Sequence, residues 1–267
     1  MKFLHEFIAA YTFQQIIDLE EKDEQFLALK RARYAVSSEF GDVYLTRQVF
    51  LYLVIQNALV SYQIAGSGPL WWAEFANLVE KDFVLLLEYG AHNQKWRESV
   101  LKKSRYNCRL YNMKLSRIEK FIQNGNFFDR DMRFFYDFMG DFHFELLTVM
   151  KQPFDAKTVV FAVKMFGYAA RIVFGDFVAF PSTIPIPLDS RLIQIYQFLE
   201  QNKATKKEII AYFQAFSEKF AVPPLHLDSL LWLEYRKIYF SALKFDKKNN
   251  SDTMMMQTKT KNQKNKN

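Results

Sequence analysis

Cysteine is almost absent from this chain: one residue, Cys108, in 267. A lone thiol excludes an intramolecular disulfide framework and any multi-thiolate zinc site. With no four-cysteine loop, no iron–sulfur cluster is expected. Glycine and proline are also scarce, at 8 and 7 residues. The hairpin signal Asn-Gly occurs once, at Asn124-Gly125, after the helix-like run Leu115–Gln123, where it suits a helix C-terminus. No stretch reaches the roughly 18 uninterrupted apolar residues of a membrane-spanning helix. The longest candidate, Val49–Val60, is broken by Gln56 and Asn57. The opening residues carry an acid, Glu6, where a signal peptide would be apolar. A soluble, cytoplasmic protein is expected.

Aromatic residues are plentiful instead. The 28 Phe, 14 Tyr and 4 Trp exclude an intrinsically disordered chain, and the length suffices for a substantial core. The net charge of +7 invites a nucleic-acid partner, but its distribution weakens that inference. From Asp246 onward, six lysines face two aspartates, so the tail holds +4 and the body only +3. Residues 246–267, rich in Lys and Asn and without apolar period, read as a disordered tail.

Within 1–245, apolar residues recur at spacings of three and four, as in Phe3, Phe7, Ile8 and Tyr11 or Val159, Val163, Phe166 and Ala170. That period is helical. Helices are expected over about 2–19, 23–38, 45–65, 70–89, 95–108, 114–123, 127–139, 142–150, 156–174, 189–201, 205–220 and 224–244. Gly66, Gly90, Gly140 and Gly175 stand where helices would end. The expected fold class is all-α, with two helical lobes and the chain crossing between them.

One helix candidate carries unusual chemistry. With Asp155 as its N-cap, Lys157 falls in the first turn, and Lys157, Phe161 and Lys164 share one face at i, i+4 and i+7. Two ammonium groups flanking a ring on an apolar helix need a reason. A reactive amine would supply one. Burial, a second cation and the positive helix N-terminus all disfavour ammonium, and a neutral lysine can form a Schiff base. On the helix alone, the plainer reading is that both lysines snorkel from a surface helix into water. Downstream, the stiff connector Phe180–Pro187 delivers Asp189 to a helix start, where backbone N–H groups keep a carboxylate ionised. Such a carboxylate is ordinarily a cap; beside a reactive amine it could stabilise a positive, sugar-like transition state.

The stretch Lys157–Arg191 resembles the archaeal GO glycosylases (AGOG) of the helix-hairpin-helix DNA glycosylase superfamily. So do Pro223–Leu233, Asn57–Trp72 and Leu19–Phe26, in family order, and the 32-residue interval from Lys157 to Asp189 looks like that family's lysine-to-aspartate interval. The superfamily's glycine-rich hairpin turn is missing, and Lys151-Gln-Pro153-Phe-Asp155 takes its place.

The resemblance implies a bifunctional enzyme that excises 8-oxoguanine from damaged DNA and nicks the strand by β-elimination; a monomer without a cofactor or metal is expected. It casts Lys157 as the nucleophile at C1′ and Asp189 as the catalytic carboxylate. Phe161 and Trp232 would sandwich the extruded base, with Gln25, Trp72, Lys164 and Asp228 as polar contacts and Trp71 as a competitor of Trp72. The chemistry agrees. A lesion inside a duplex must be flipped out to be reached, and stacking cannot tell 8-oxoguanine from guanine because every base has a π-face. The bases differ at N7–H and O8, so a buried acceptor facing N7 penalises guanine. Gln25 can present an amide oxygen or nitrogen, Asp228 can accept from N1 and N2 hydrogens, and the Trp72 indole can only donate.

Lys151, Arg171 and Arg191 are candidate contacts to the DNA backbone. His5, His92 and His143 lack metal-ligand spacing and read as structural, and His226 as support for the 223–232 turn. Two other readings stay open: a monofunctional glycosylase for another damaged base, and a non-catalytic helical DNA-binding protein in which Lys157 only contacts phosphate.

Overall fold

The computed structural model describes residues 2–89 and 94–239. The Lys/Asn-rich tail, Gly90 and His92 lie outside the described residues. The elements run α1 (Lys2–Ala9), α2 (Phe13–Glu20), α3 (Glu24–Phe40), α4 (Tyr44–Leu59), α5 (Gly68–Tyr89), α6 (Gln94–Lys103), α7 (Tyr111–Gly125), a 3-10 turn (Phe127–Asp129), α8 (Met132–Asp137), α9 (Met139–Met150), α10 (Lys157–Phe174), α11 (Ser190–Glu200), α12 (Lys206–Phe220) and α13 (Pro224–Leu233). Residues 235–239 are again helical. There is no strand among the described residues, and no described helix is long and apolar enough to cross a membrane.

Several boundaries differ from expectation for local reasons. The 2–19 segment divides because Thr12 forms a capping box: its Oγ1 accepts from Gln15 N–H at 3.2 Å while its own N–H donates to Gln15 Oε1 at 2.8 Å. The 45–65 segment stops at Leu59. From Val60 the chain is a loop, pinned by Ala65 N–H donating to Tyr106 O at 2.7 Å. Gly66 is therefore a loop residue; a Cβ there would lie 2.9 Å from the Tyr106 ring. Gly140 sits inside the first turn of α9. Gly175 does end α10, with φ 76°, and its N–H donates to Arg171 O. Asn124-Gly125 closes α7, followed by a left-handed Asn126.

Among the described residues two large apolar cores form, beside a small cluster of Val60, Leu101 and Ile118. The larger gathers α3 through α10 around α4, which is buried from Gln48 to Leu59 and lies against α3, α5, α7 and α10. The longest apolar candidate of the sequence, Val49–Val60, thus lies almost wholly in the central helix. The smaller core joins α1 and α2 to α11, α12 and α13.

The connector 175–189 runs between the two cores: Ile184 belongs to the larger and Ile186 to the smaller. Helix α10 has 18 residues, about 27 Å of rise, so the chain must double back along it before Asp189 can approach Lys157. Gly167 permits this. The Phe180 ring packs where a Gly167 side chain would be; a Cβ there would come within 2.3 Å of Phe180 Cε1. Phe180 N–H donates to His226 Nε2 at 3.1 Å, tying the returning chain to α13.

Candidate active site

A cavity of about 350 Å³ opens where the two cores meet, and all eight site residues expected from the sequence line it. Lys157, Phe161 and Lys164 come from one face of α10, and Asp189 from the start of α11. Asp228 and Trp232 lie one turn apart on α13. Gln25 lies in the first turn of α3, and Trp72 in the first turns of α5.

Lys157 is the first residue of α10, but Asp155 is not its cap. Ala156 holds that position, without a side-chain hydrogen bond, because Asp155 is drawn to Lys206 at 3.0 Å. Nor is Lys157 buried: its side chain is exposed at the cavity rim, and it makes no ion pair among the described residues. The burial expected for this amine is therefore corrected. Lys164, two turns deeper, is the buried one, 3% exposed, with its ammonium on Asp228 Oδ2 at 2.6 Å. Burial pulls Lys164 down and Asp228 up; each partner's charge and their hydrogen bond oppose this. With Asp23 and Glu20 nearby they hold the Lys164 ammonium above its ordinary range, whereas for Asp228 burial prevails and its carboxyl stays raised. Lys157 and Asp189 both lie close enough to Asp228 to act on it electrostatically.

Asp189 is the N-cap of α11, as expected. Its Oδ1 accepts from Arg191 and Leu192 N–H, each at 2.9 Å, leaving Oδ2 without a protein partner among the described residues. Gln25 Nε2 is directed to Asp23 Oδ2 at 3.5 Å, so its Oε1 remains an open acceptor. The close approach of α5 is made by Gly68, whose Cβ would lie 3.4 Å from that oxygen. The two tryptophans separate clearly. Trp71 donates its indole N–H to Ser61 Oγ at 3.0 Å, whereas buried Trp72 keeps its N–H unpartnered. Phe161 and Trp232 are half-buried, each with surface on the cavity.

Sequence reasoning missed what lies beneath and beside these residues. Glu20, fully buried, accepts from Arg171 at 3.0 Å and bonds His226 Nδ1 at 2.8 Å. Since His226 Nε2 accepts from Phe180, Nδ1 carries the proton. His226 thus does support the 223–232 turn. Arg171, expected to contact DNA phosphate, is 6% exposed and committed to Glu20, so that expectation is corrected. The 60–67 loop adds Ser61, Tyr62, Gln63 and Ile64 to the wall. The only sequence signal for that loop was the run Gly66-Ser-Gly68-Pro69.

Comparison with known proteins gives a consistent result. A family model described as AGOG, N-glycosylase/DNA lyase, matches residues 5–266. An N-glycosylase/DNA lyase of Methanococcus maripaludis is 37% identical over 221 residues, covering 80% of this chain and 79% of that protein. One from Thermococcus kodakarensis is 35% identical, covering 80% and 76%. Among solved structures, the fold matches an 8-oxoguanosine complex of Pa-AGOG, the 8-oxoguanine DNA glycosylase of Pyrobaculum aerophilum. That match has a TM-score of 0.69 and 23% identity, over 88% of this chain and 87% of the other. With its all-α architecture and a family match spanning nearly its whole length, this chain belongs to the AGOG family of N-glycosylase/DNA lyases.

Proposed function

We propose that the protein excises 8-oxoguanine from DNA and then cleaves the strand at the resulting abasic site. The observation that carries this reading is the convergence of eight residues from four separated segments on one cavity. The extruded base lies between Phe161 and Trp232. Gln25 Oε1 accepts from N7–H, the feature guanine lacks, so guanine would oppose one acceptor with another. Asp228, paired with Lys164, accepts from the N1 and N2 hydrogens, and Trp72 N–H donates to a carbonyl oxygen.

Lys157 Nζ, as the neutral amine after giving a proton to solvent, attacks C1′; the glycosidic bond breaks with its electron pair leaving on the base, which takes up a proton. The free oxygen of Asp189 faces the positive charge that develops on the sugar. Ring opening gives the Schiff base; loss of a C2′ proton then expels the 3′ phosphate and nicks the strand. Because Lys157 is exposed, bound DNA itself must cover it. Lys151, exposed at the turn before α10, is a backbone phosphate contact on this reading. We read the two cores as the two lobes of a monomer that works in the cytoplasm.

The test is cleavage of a duplex carrying one 8-oxoguanine, with and without borohydride. Wild type is expected to nick the strand and to be trapped covalently, and Lys157→Gln to lose both. Base release without any trapped adduct would refute the lysine chemistry. Binding without any product would favour a non-catalytic protein.

A further inference from the structure

Arg191 is the first arginine after Asp189, and its guanidinium lies against aromatic rings. Its Cζ lies 3.4 Å from the centroid of the Trp232 ring, with Tyr235 a second ring at 5.8 Å. It makes no ion pair among the described residues. Trp232 lines the cavity and Arg191 is not among its lining residues, while the guanidinium sits over one face of the indole. The backbone of the same residue donates to Asp189 Oδ1. One residue thus joins the cap of α11 to the ring wall on α13.

We propose that Arg191 is a positioning residue for base recognition, a planar cation that braces Trp232 and sets the width of the slot opposite Phe161. This rests on the function proposed above. The chemistry suits the role. A guanidinium is flat and weakly hydrated, so it stacks on an aromatic face as an ammonium does not. Trp232 is only half-buried and borders the cavity, so without the stacked cation its indole is free to change rotamer. A brace of this kind serves only substrates that carry a base. An abasic site puts nothing between Phe161 and Trp232, and its cleavage depends on Lys157 and not on the slot.

The experiment compares two activities of the same protein: release of 8-oxoguanine from duplex DNA, and cleavage of a pre-formed abasic site. In Arg191→Ala the ratio of the two kcat/KM values is expected to fall, chiefly through the KM for base release. A contact of this class corresponds to about a two- to thirtyfold change. Arg191→Lys, which keeps the charge and loses the plane, is expected to restore little of it. An equal fall in both activities, or full rescue by lysine with a steeper loss at high salt, would assign Arg191 to a phosphate or to the fold and overturn the proposal. Should Arg191→Ala fail to fold, Arg191→Lys carries the same comparison. If wild type neither releases the base nor cleaves the abasic site, the functional reading fails. If it does both and the ratio is unmoved by substitution, only the brace fails. Quenching of tryptophan fluorescence by the 8-oxoguanine nucleoside, measured on Lys157→Gln protein with and without Arg191→Ala, tests the brace with the chemistry removed. Weaker quenching in the double variant is expected, and equal quenching refutes the brace.

Discussion

Breaking the Lys164–Asp228 pair from one side should be far more damaging than removing it whole. Both side chains are nearly inaccessible, at 3% and 7% exposed, and their polar contact is a single 2.6 Å hydrogen bond. Asp228→Leu would strand an ammonium with only the Tyr168 ring at 5.7 Å and the more distant Glu20 and Asp23 carboxylates in range. Stranding one member of a buried pair costs about 3–5 kcal/mol, and the two remaining carboxylates place this case near the lower figure. Lys164→Met leaves a carboxyl that can escape by taking up a proton, so its cost should be smaller. The double variant, Lys164→Met with Asp228→Leu, exchanges the pair for apolar volume and should lie closer to wild type than Asp228→Leu does. In thermal melts, 3 kcal/mol corresponds to a Tm lower by roughly 6–12 °C for a domain of this size. Denaturant melts of the four proteins provide the cycle, and excision assays on the folded double variant should show lost base release. Losses that simply add, or an Asp228→Leu protein as stable as wild type, would refute the reasoning.

Two further outcomes follow from the same kind of argument. His143 is buried, which pushes its pKa down to about 4. Between pH 6.5 and 4 the unfolded chain therefore binds a proton that the folded one refuses, and stability must fall as pH drops through that window. In His143→Leu, urea midpoints should vary less across it; an unchanged slope would count against this assignment. Gly167→Ala would drive a methyl to 2.3 Å from Phe180 Cε1 and 3.2 Å from Met139 Sδ. It should cost about 1–3 kcal/mol and, by shifting the connector that carries Asp189, lower excision by more than the loss of folded protein explains. Activity in strict proportion to the folded fraction would remove the connector from the argument.

Local chemistry carried some of these features and not others. The stripe 157–161–164 was legible because an apolar helix leaves its polar positions conspicuous, and Asp189 because prolines upstream and N–H groups downstream define a cap by themselves. Thr12-Phe-Gln-Gln15 was equally local, a capping-box pattern that breaks the 2–19 helix. The rest depended on distant partners. Asp155 looks like a cap until Lys206, 51 residues on, claims it. Arg171 looks like a DNA contact until Glu20, 151 residues earlier, accepts a hydrogen bond from it. The end of α4 at Leu59 depends on Tyr106 and Trp71, neither of which a window around Val60 contains. Lys157 and Lys164 are the same residue type on one face, and no pattern along α10 tells which of them reaches water.

That difference has a consequence for selectivity between amines. A single rigid rod presents two primary amines to the same chamber, spaced seven residues, about 10 Å, along its length. The inner one is clamped by a carboxylate and has no lone pair to offer an electrophile; the outer one is unclamped. Deletion of the outer amine therefore cannot be repaired by the inner one while Asp228 stands, whereas a chain lacking both Lys157 and the Asp228 charge would hold one unclamped amine, seated too deep to meet a sugar carbon.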